Sequence, residues 1–232
     1  MDKLTAIIPA AGQGRRMKSY LSKQFMLLQD LPIIVHTLRV FQAAEIIDNI
    51  VLVCASGEEG YYRKEILLNY EITKPTAVVS GGKERQDSVY CGLLSVTDSH
   101  NFVMVHDGAR PLVTVDLITR VAEEVRINNA VVAGVPVKDT IKRTDAGGNI
   151  IETLVRERLW HIQTPQAFDV NLLKRAHGQA KTADYYGTDD AALVERMGHQ
   201  VKIIPGSYEN IKITTPEDIV VAETILQGRG KS

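Results

Sequence analysis

Cysteine is scarce in this 232-residue sequence: Cys54 and Cys91 stand far apart, form no Cys-x-x-Cys pair and sit in apolar or helix-like surroundings. Reduced, buried thiols are therefore expected rather than a disulfide framework. Long apolar runs are missing as well, since no stretch reaches the roughly 18 residues of a membrane span. Met1-Asp2-Lys3-Leu4 is not a basic region leading into an apolar one. These absences lead to the expectation of a cytoplasmic protein with no membrane partner. Charge of one sign is lacking too: the formal net charge is -1, which gives no global attraction to nucleic acid or to an anionic surface. Any anionic ligand must then be met by local clusters. With 44% hydrophobic residues and no repeat, low-complexity tract or linker, one domain over 1–232 is expected.

What is present is a rhythm. Apolar runs rich in β-branched residues recur at Leu4 to Ile8, Ile50 to Cys54, Ala77 to Val79, Phe102 to Val105 and Ala130 to Ala133, as suits strands buried on both faces. Helical patterns lie between them at Ile33 to Phe41, Glu58 to Tyr70, Asp87 to Ser95 and Asp116 to Ile127. This alternation predicts an α/β fold with a Rossmann-like, mostly parallel sheet flanked by helices. After Pro136 the pattern changes. Asp139 to Arg143 and Ile150 to Val155 alternate around Asp145-Ala146-Gly147-Gly148-Asn149, which predicts a β-hairpin arm at about 136–160. A lone hairpin is marginal in water, so a second copy of the chain is the expected cover and a homodimer the expected assembly. Helices are then predicted near Asp169 to Ala180 and Asp189 to Met197, a strand near Val201 to Ile204, and a last helix opening at Pro216-Glu217-Asp218.

In open parallel sheets, ligands sit beyond the carboxyl ends of the strands, so the residues just after each run carry the functional information. The first run leads into Pro9-Ala10-Ala11-Gly12-Gln13-Gly14-Arg15-Arg16-Met17, with Lys18 and Lys23 close behind. Small residues let backbone amides approach a ligand, and the cations match a polyphosphate; a Gly-rich turn with solvated basic residues is the alternative. The loop lacks the Gly-Lys-Ser/Thr ending of a Walker loop, and Met17 stands where a dinucleotide fingerprint wants Gly or Ala. After the third run comes Ser80-Gly81-Gly82-Lys83-Glu84-Arg85-Gln86-Asp87-Ser88. There Gly82 suits the approach of a flat base and Ser88 a contact to its edge, while Asp87 and Ser88 also suit helix capping. The fourth run leads to His106-Asp107-Gly108-Ala109-Arg110-Pro111. Asp107 suits Mg2+ or a ribose hydroxyl, with an Asp107–Arg110 ion pair as the alternative. Alternation turns His106 away, as a structural residue.

These loops resemble the 2-C-methyl-D-erythritol 4-phosphate cytidylyltransferases. So do Asp139-Thr140, Leu159-Trp160-His161, Gln163-Thr164-Pro165-Gln166, Gly187-Thr188-Asp189-Asp190-Ala191 and Asn210-Ile211-Lys212-Ile213-Thr214, in order from about Thr5 to Ala222. The resemblance implies a homodimer that uses CTP and Mg2+, each subunit's arm completing its partner's site. It implies transition-state stabilisation by Arg16 and Lys23, and grip on the sugar phosphate by Arg156 and Lys212. Asp107, Arg110, Thr140 and Thr188 would complete that pocket, with Thr140 and Arg156 reaching across the dimer. Pro9, Ala10, Ala11, Gly12, Gly14, Gly82, Lys83, Ser88, Asp107 and Gly108 would form the CTP site. Lys83 departs from the family, whose members often carry an acid there. A ribitol 5-phosphate cytidylyltransferase is the rival enzyme, and a non-catalytic nucleotide-binding module the rival of another class.

Overall fold

The computed structural model describes residues 2–12, 25–74, 76–97 and 99–230. The elements run β1 (Lys3–Pro9), β2 (Leu27–Leu28), β3 (Leu31–Pro32), α1 (Ile33–Ala43), β4 (Asn49–Cys54), α2 (Glu59–Tyr61), β5 (Thr76–Ser80), α3 (Arg85–Leu94) and β6 (His100–Val105). They continue as α4 (Val115–Asn128), β7 (Ala130–Pro136), β8 (Lys142–Thr144), β9 (Ile150–Thr153), β10 (Trp160–Asp169), α5 (Val170–Thr182), α6 (Asp190–Arg196), β11 (Lys202–Pro205) and α7 (Pro216–Arg229). Among the described residues, seven strands form one sheet in the order β11-β7-β10-β6-β1-β4-β5. All its pairings are parallel except those of β10, which runs antiparallel to both β6 and β7. Among the described residues no helix is long and apolar enough to cross a membrane.

Strand alternation sorts the core into two layers. Ala6, Ile8, Leu52 and Met104 face α1 and α4, while Ile7, Val51, Val53, Val103 and Val105 face α3, α5 and α6. The runs of the inner strands are thus covered on both faces, whereas Ala77 on the edge strand β5 is exposed, and each fully buried aliphatic side chain contributes about 1.5–3 kcal/mol of transfer free energy. Gly92 lets α3 sit close on this sheet. A Cβ there would lie 2.7 Å from Ile7 Cγ2 and 2.9 Å from Val53 Cγ2, so any side chain would lift the helix whose first turn walls the site.

The structure departs from the sequence reading in two elements. The expected helix over Glu58 to Tyr70 is α-helical only at α2 and continues as a π-helix over Tyr62–Leu68, a distinction that apolar spacing does not make. The larger departure is β10, a strand where the sequence reading places no element. Its Gln163, Thr164 and Gln166 are polar yet buried, and Pro165 argues against an interior strand. The register with β7 shifts between Ile162 and Gln166, so Pro165 falls where no ladder donor is needed, and the polar side chains find partners described below.

The hairpin is present as a separate sheet of β8 and β9, every residue of which is exposed. Its turn is closed by Asp145, whose carboxylate accepts from Gly147 N and Asn149 N, both at 2.9 Å. Gly148 takes φ +83, a conformation that favours glycine.

Candidate active site

The carboxyl ends of β1, β5 and β6 open into a cleft of about 660 Å3, solvent mouth included. Pro9, Ala10, Ala11 and Gly12 form one wall, Gly82, Lys83, Glu84, Arg85 and Ser88 another, and Asp107, Gly108, Ala109 and Lys212 the floor and far side. The sequence-derived CTP residues therefore converge, apart from Gly14. Gly14, Arg16 and Lys23 lie outside the described residues.

Each wall is set by local chemistry. A Cβ on Gly82 would fall 2.4 Å from Asp87 Cβ, so the turn into α3 closes only around glycine. The Ser88 hydroxyl accepts from Gly82 N at 3.2 Å and donates to Glu84 O at 3.1 Å, so it shapes the turn. Asp87 Oδ2 accepts from Glu84 N at 3.0 Å, and the helix cap is Glu84, one turn earlier than the sequence reading placed it. Opposite, Gly108 N donates to Pro9 O at 3.2 Å and Ile213 N to Ala109 O at 2.8 Å. Asn210, wholly buried, donates through Nδ2 to Thr164 O at 2.9 Å. With Asn210 and Ile213 anchored on either side, Lys212 is held over the cleft.

Asp107 is the electrostatic centre. Its Oδ1 accepts from Arg85 Nε at 2.9 Å and its Oδ2 from Lys212 Nζ at 2.6 Å. Burial alone would raise its pKa, but the Arg85 and Lys212 charges override that and hold the carboxyl well below the usual range. The Asp107–Arg110 pair weighed from sequence gives way to these two partners. Arg110 instead donates through Nη1 to Asn210 O at 2.7 Å, and its buried Nε has no hydrogen-bond partner among the described residues. Burial lowers its pKa, against the opposing pull of Asp107.

His106 is structural, as expected. Its Nε2 pairs with Arg110 O and its Nδ1 with the Thr164 hydroxyl, both at 3.1 Å, while that hydroxyl accepts from Asp107 N at 3.1 Å. A neutral ring with its proton on Nε2 satisfies the whole set. Burial pushes the His106 pKa down to about 4.

The remaining predicted residues do not line this cleft. Thr188 is exposed, just before the α6 cap Asp189. Thr140 and Arg156 are exposed on the arm, where Arg156 donates to Lys138 O at 3.1 Å and lies 3.8 Å from Glu157. Three residues given no role from sequence prove central: Arg85, Asp190 and Gln86. Arg85 Nη1 donates to Asp190 Oδ2 at 2.8 Å, a contact between residues 105 apart that no local pattern reveals.

The donor set also tests for a metal. Both Asp107 oxygens are taken by cations, and among the described residues no group of three or more His, Cys, Asp or Glu converges. A hard divalent ion fits here only as one carried on phosphate oxygens, not in a protein cage.

A Rossmann-like sheet edge with amide-lined turns and a cation-flanked carboxylate is the frame of a nucleotidyltransferase. The family model "IspD: 2-C-methyl-D-erythritol 4-phosphate cytidylyltransferase" matches residues 4–228, and the chain belongs to that family. A Pelotomaculum thermopropionicum protein named 2-C-methyl-D-erythritol 4-phosphate cytidylyltransferase is 47% identical over 229 residues, covering 99% of this chain and 96% of its own. The structure is similar to the crystal structure of 4-diphosphocytidyl-2C-methyl-D-erythritol synthase from Anaerococcus prevotii, with TM-score 0.86, 32% identity and coverage of 97% and 99% of the two chains. The corresponding Thermus thermophilus cytidylyltransferase gives TM-score 0.80 at 30% identity, covering 97% and 99%.

Proposed function

We propose that the protein transfers CMP from CTP to 2-C-methyl-D-erythritol 4-phosphate, releasing pyrophosphate and giving 4-diphosphocytidyl-2-C-methyl-D-erythritol, an isoprenoid precursor. The observation that carries this reading is the convergence of three small-residue turns with Asp107 and Lys212 in one cleft, in a chain of this family.

An oxygen of the acceptor phosphate attacks the α-phosphorus, and the bond to the bridging oxygen of pyrophosphate breaks. Near neutral pH the acceptor is already largely dianionic, so no general base is needed. In keeping with this, His106 is buried and engaged at both nitrogens. The task is to bring two anions together and to stabilise charge on the α-phosphate and the leaving group. Arg16 and Lys23 take the second role. Lys212 exchanges its Asp107 partner for the acceptor phosphate, and Arg156 grips that phosphate from the other side. Arg110, Thr140 and Thr188 complete the acceptor pocket, and the turns at Ala10 to Gly12 and at Gly82 hold cytidine. Mg2+ would be held on the CTP phosphates rather than in a protein cage, and when bound would neutralise phosphate charge.

The same reading takes 1–232 as one domain whose arm, about 136–160, pairs two copies. It is supported by the exposed apolar side chains Ile150, Ile151 and Val155 on that arm. A cytoplasmic location agrees with the free thiols Cys54 and Cys91.

Pyrophosphate release with MgCTP tests the reading, using methylerythritol 4-phosphate, ribitol 5-phosphate or no acceptor, with ATP, GTP and UTP as controls. Release with CTP and methylerythritol phosphate alone is expected. Preference for ribitol phosphate would overturn the acceptor, and silence with every pair would overturn the enzyme reading. Arg16→Ala and Lys23→Ala should each lower kcat about 10²- to 10³-fold with the circular dichroism spectrum unchanged. Near-normal turnover would remove that residue from the mechanism.

A further inference from the structure

One guanidinium ties together three parts of the cleft that are far apart in the chain. Arg85 opens α3, at the end of the turn that walls the nucleotide side. Its Nε meets Asp107 after β6, at 2.9 Å, and its Nη1 meets Asp190 at the start of α6, at 2.8 Å. Asp107 holds Lys212 through its other oxygen at 2.6 Å. Asp190 is 1% exposed, and its second oxygen lies 3.2 Å from His177 Nε2. The next residue reinforces the tie: Gln86 donates to Tyr185 O at 3.0 Å and accepts from Gly187 N at 2.9 Å. Two consecutive side chains of the nucleotide-side turn thus grip residues 185–190, the segment that carries Thr188.

We propose that Arg85 is a positioning residue for the acceptor, setting the spacing between the Asp107–Lys212 pair and the Thr188 segment and fastening both to the nucleotide wall. The inference rests on the function proposed above, in which Lys212 and Thr188 face the acceptor. It also accounts for arginine here. A planar fork meets two carboxylates on separate elements at fixed angles, whereas a lysine ammonium is a single point charge on a flexible stem. Arg85→Lys keeps the positive charge between the carboxylates and removes the two-point span. Asp190→Asn keeps the Arg85–Asp107 contact and loosens only the Thr188 side.

The test is a separation of constants. Pyrophosphate release gives the KM of each substrate, calorimetry gives CTP binding, and circular dichroism and thermal melting monitor the fold. Both variants should raise the acceptor KM about tenfold or more, within the hundredfold that a misplacement of about 1 Å can cause. The KM and Kd for CTP should stay within about threefold of wild type. A role limited to neutralising buried carboxylates would lower the melting temperature without separating the two KM values; that result in folded variants overturns the proposal. So does a parallel rise of both KM values. Should Arg85→Lys fail to fold, Asp190→Asn decides alone on the same criteria. Wild-type protein that releases no pyrophosphate overturns the function on which the proposal stands, whereas active wild type with unchanged variant KM values overturns the proposal alone.

Discussion

Lys212 and Arg156 carry the same charge and are assigned the same anion, yet the chain supports them differently. Lys212 lies between two anchored neighbours and is pinned to a buried carboxylate at 2.6 Å, in a junction that also engages Arg85, Asp190 and Thr164. Arg156 stands on an exposed 3₁₀ turn with one backbone acceptor and a loose Glu157 contact, and exposed pairs of that kind contribute about 0–1 kcal/mol. One half of the proposed acceptor pocket is therefore preorganised within a single chain. The other half has its side chains in solvent, where only another surface can order them.

The sharpest way to break this contrast is to remove the junction's carboxylate. Asp107→Ala leaves the Arg85 and Lys212 charges without their partner and should cost about 3 kcal/mol in urea unfolding, the lower end for breaking a buried ion pair. A cost below about 1 kcal/mol would mean that solvent screens the junction as it screens the arm.

The junction should also respond to acid. His106 stays neutral in the fold down to about pH 4, against 6.5 for an ordinary histidine, so between those values the unfolded chain binds the extra proton. Stability should therefore fall as pH drops from 6.5 to 4, by roughly 3 kcal/mol from this residue. Burial lowers His36 and His100 too, which acts in the same direction. Asp107 and Asp190, whose pKa values are depressed, keep their contribution through this window and lose it only in stronger acid. Thermal melts from pH 7.5 to 4.5 check the slope; a flat profile would place His106 in contact with water.

The smallest stability effect belongs to the arm. Arg156→Ala should change the unfolding free energy by less than about 0.5 kcal/mol and leave the sedimentation coefficient unaltered. It should still raise the acceptor KM by about tenfold while sparing that of CTP. An unchanged acceptor KM would return Arg156 to a surface ion pair with Glu157.

The same contrast explains what was legible in the sequence. The inner parallel strands announce themselves because both faces are covered, so their residues form uninterrupted apolar runs such as Ile50 to Cys54. The hairpin is legible for the opposite reason, since exposed strands alternate around a Gly-Gly turn. The cleft's small-residue turns were legible because a chain must use glycine where Gly82 meets Asp87. β10 is hidden because the buried Gln163, Thr164 and Gln166 are satisfied by partners such as Ser207, Asp107 and Asp189, which no local window contains. Arg85 has no local signature for the same reason: its meaning lies in carboxylates 22 and 105 residues away.

The place of β10 in the sheet has a consequence for how the protein is made. β7 reaches the rest of the sheet only through β10, which emerges from the ribosome after the whole arm. Until then β6 presents an open edge of unpaired amides and carbonyls, and β7, whose other neighbour β11 follows later still, presents two, the kind of edge that recruits other chains. The nascent chain thus carries the sheet β6-β1-β4-β5 and a strand still without its neighbours, and the polar strand is the piece that joins them.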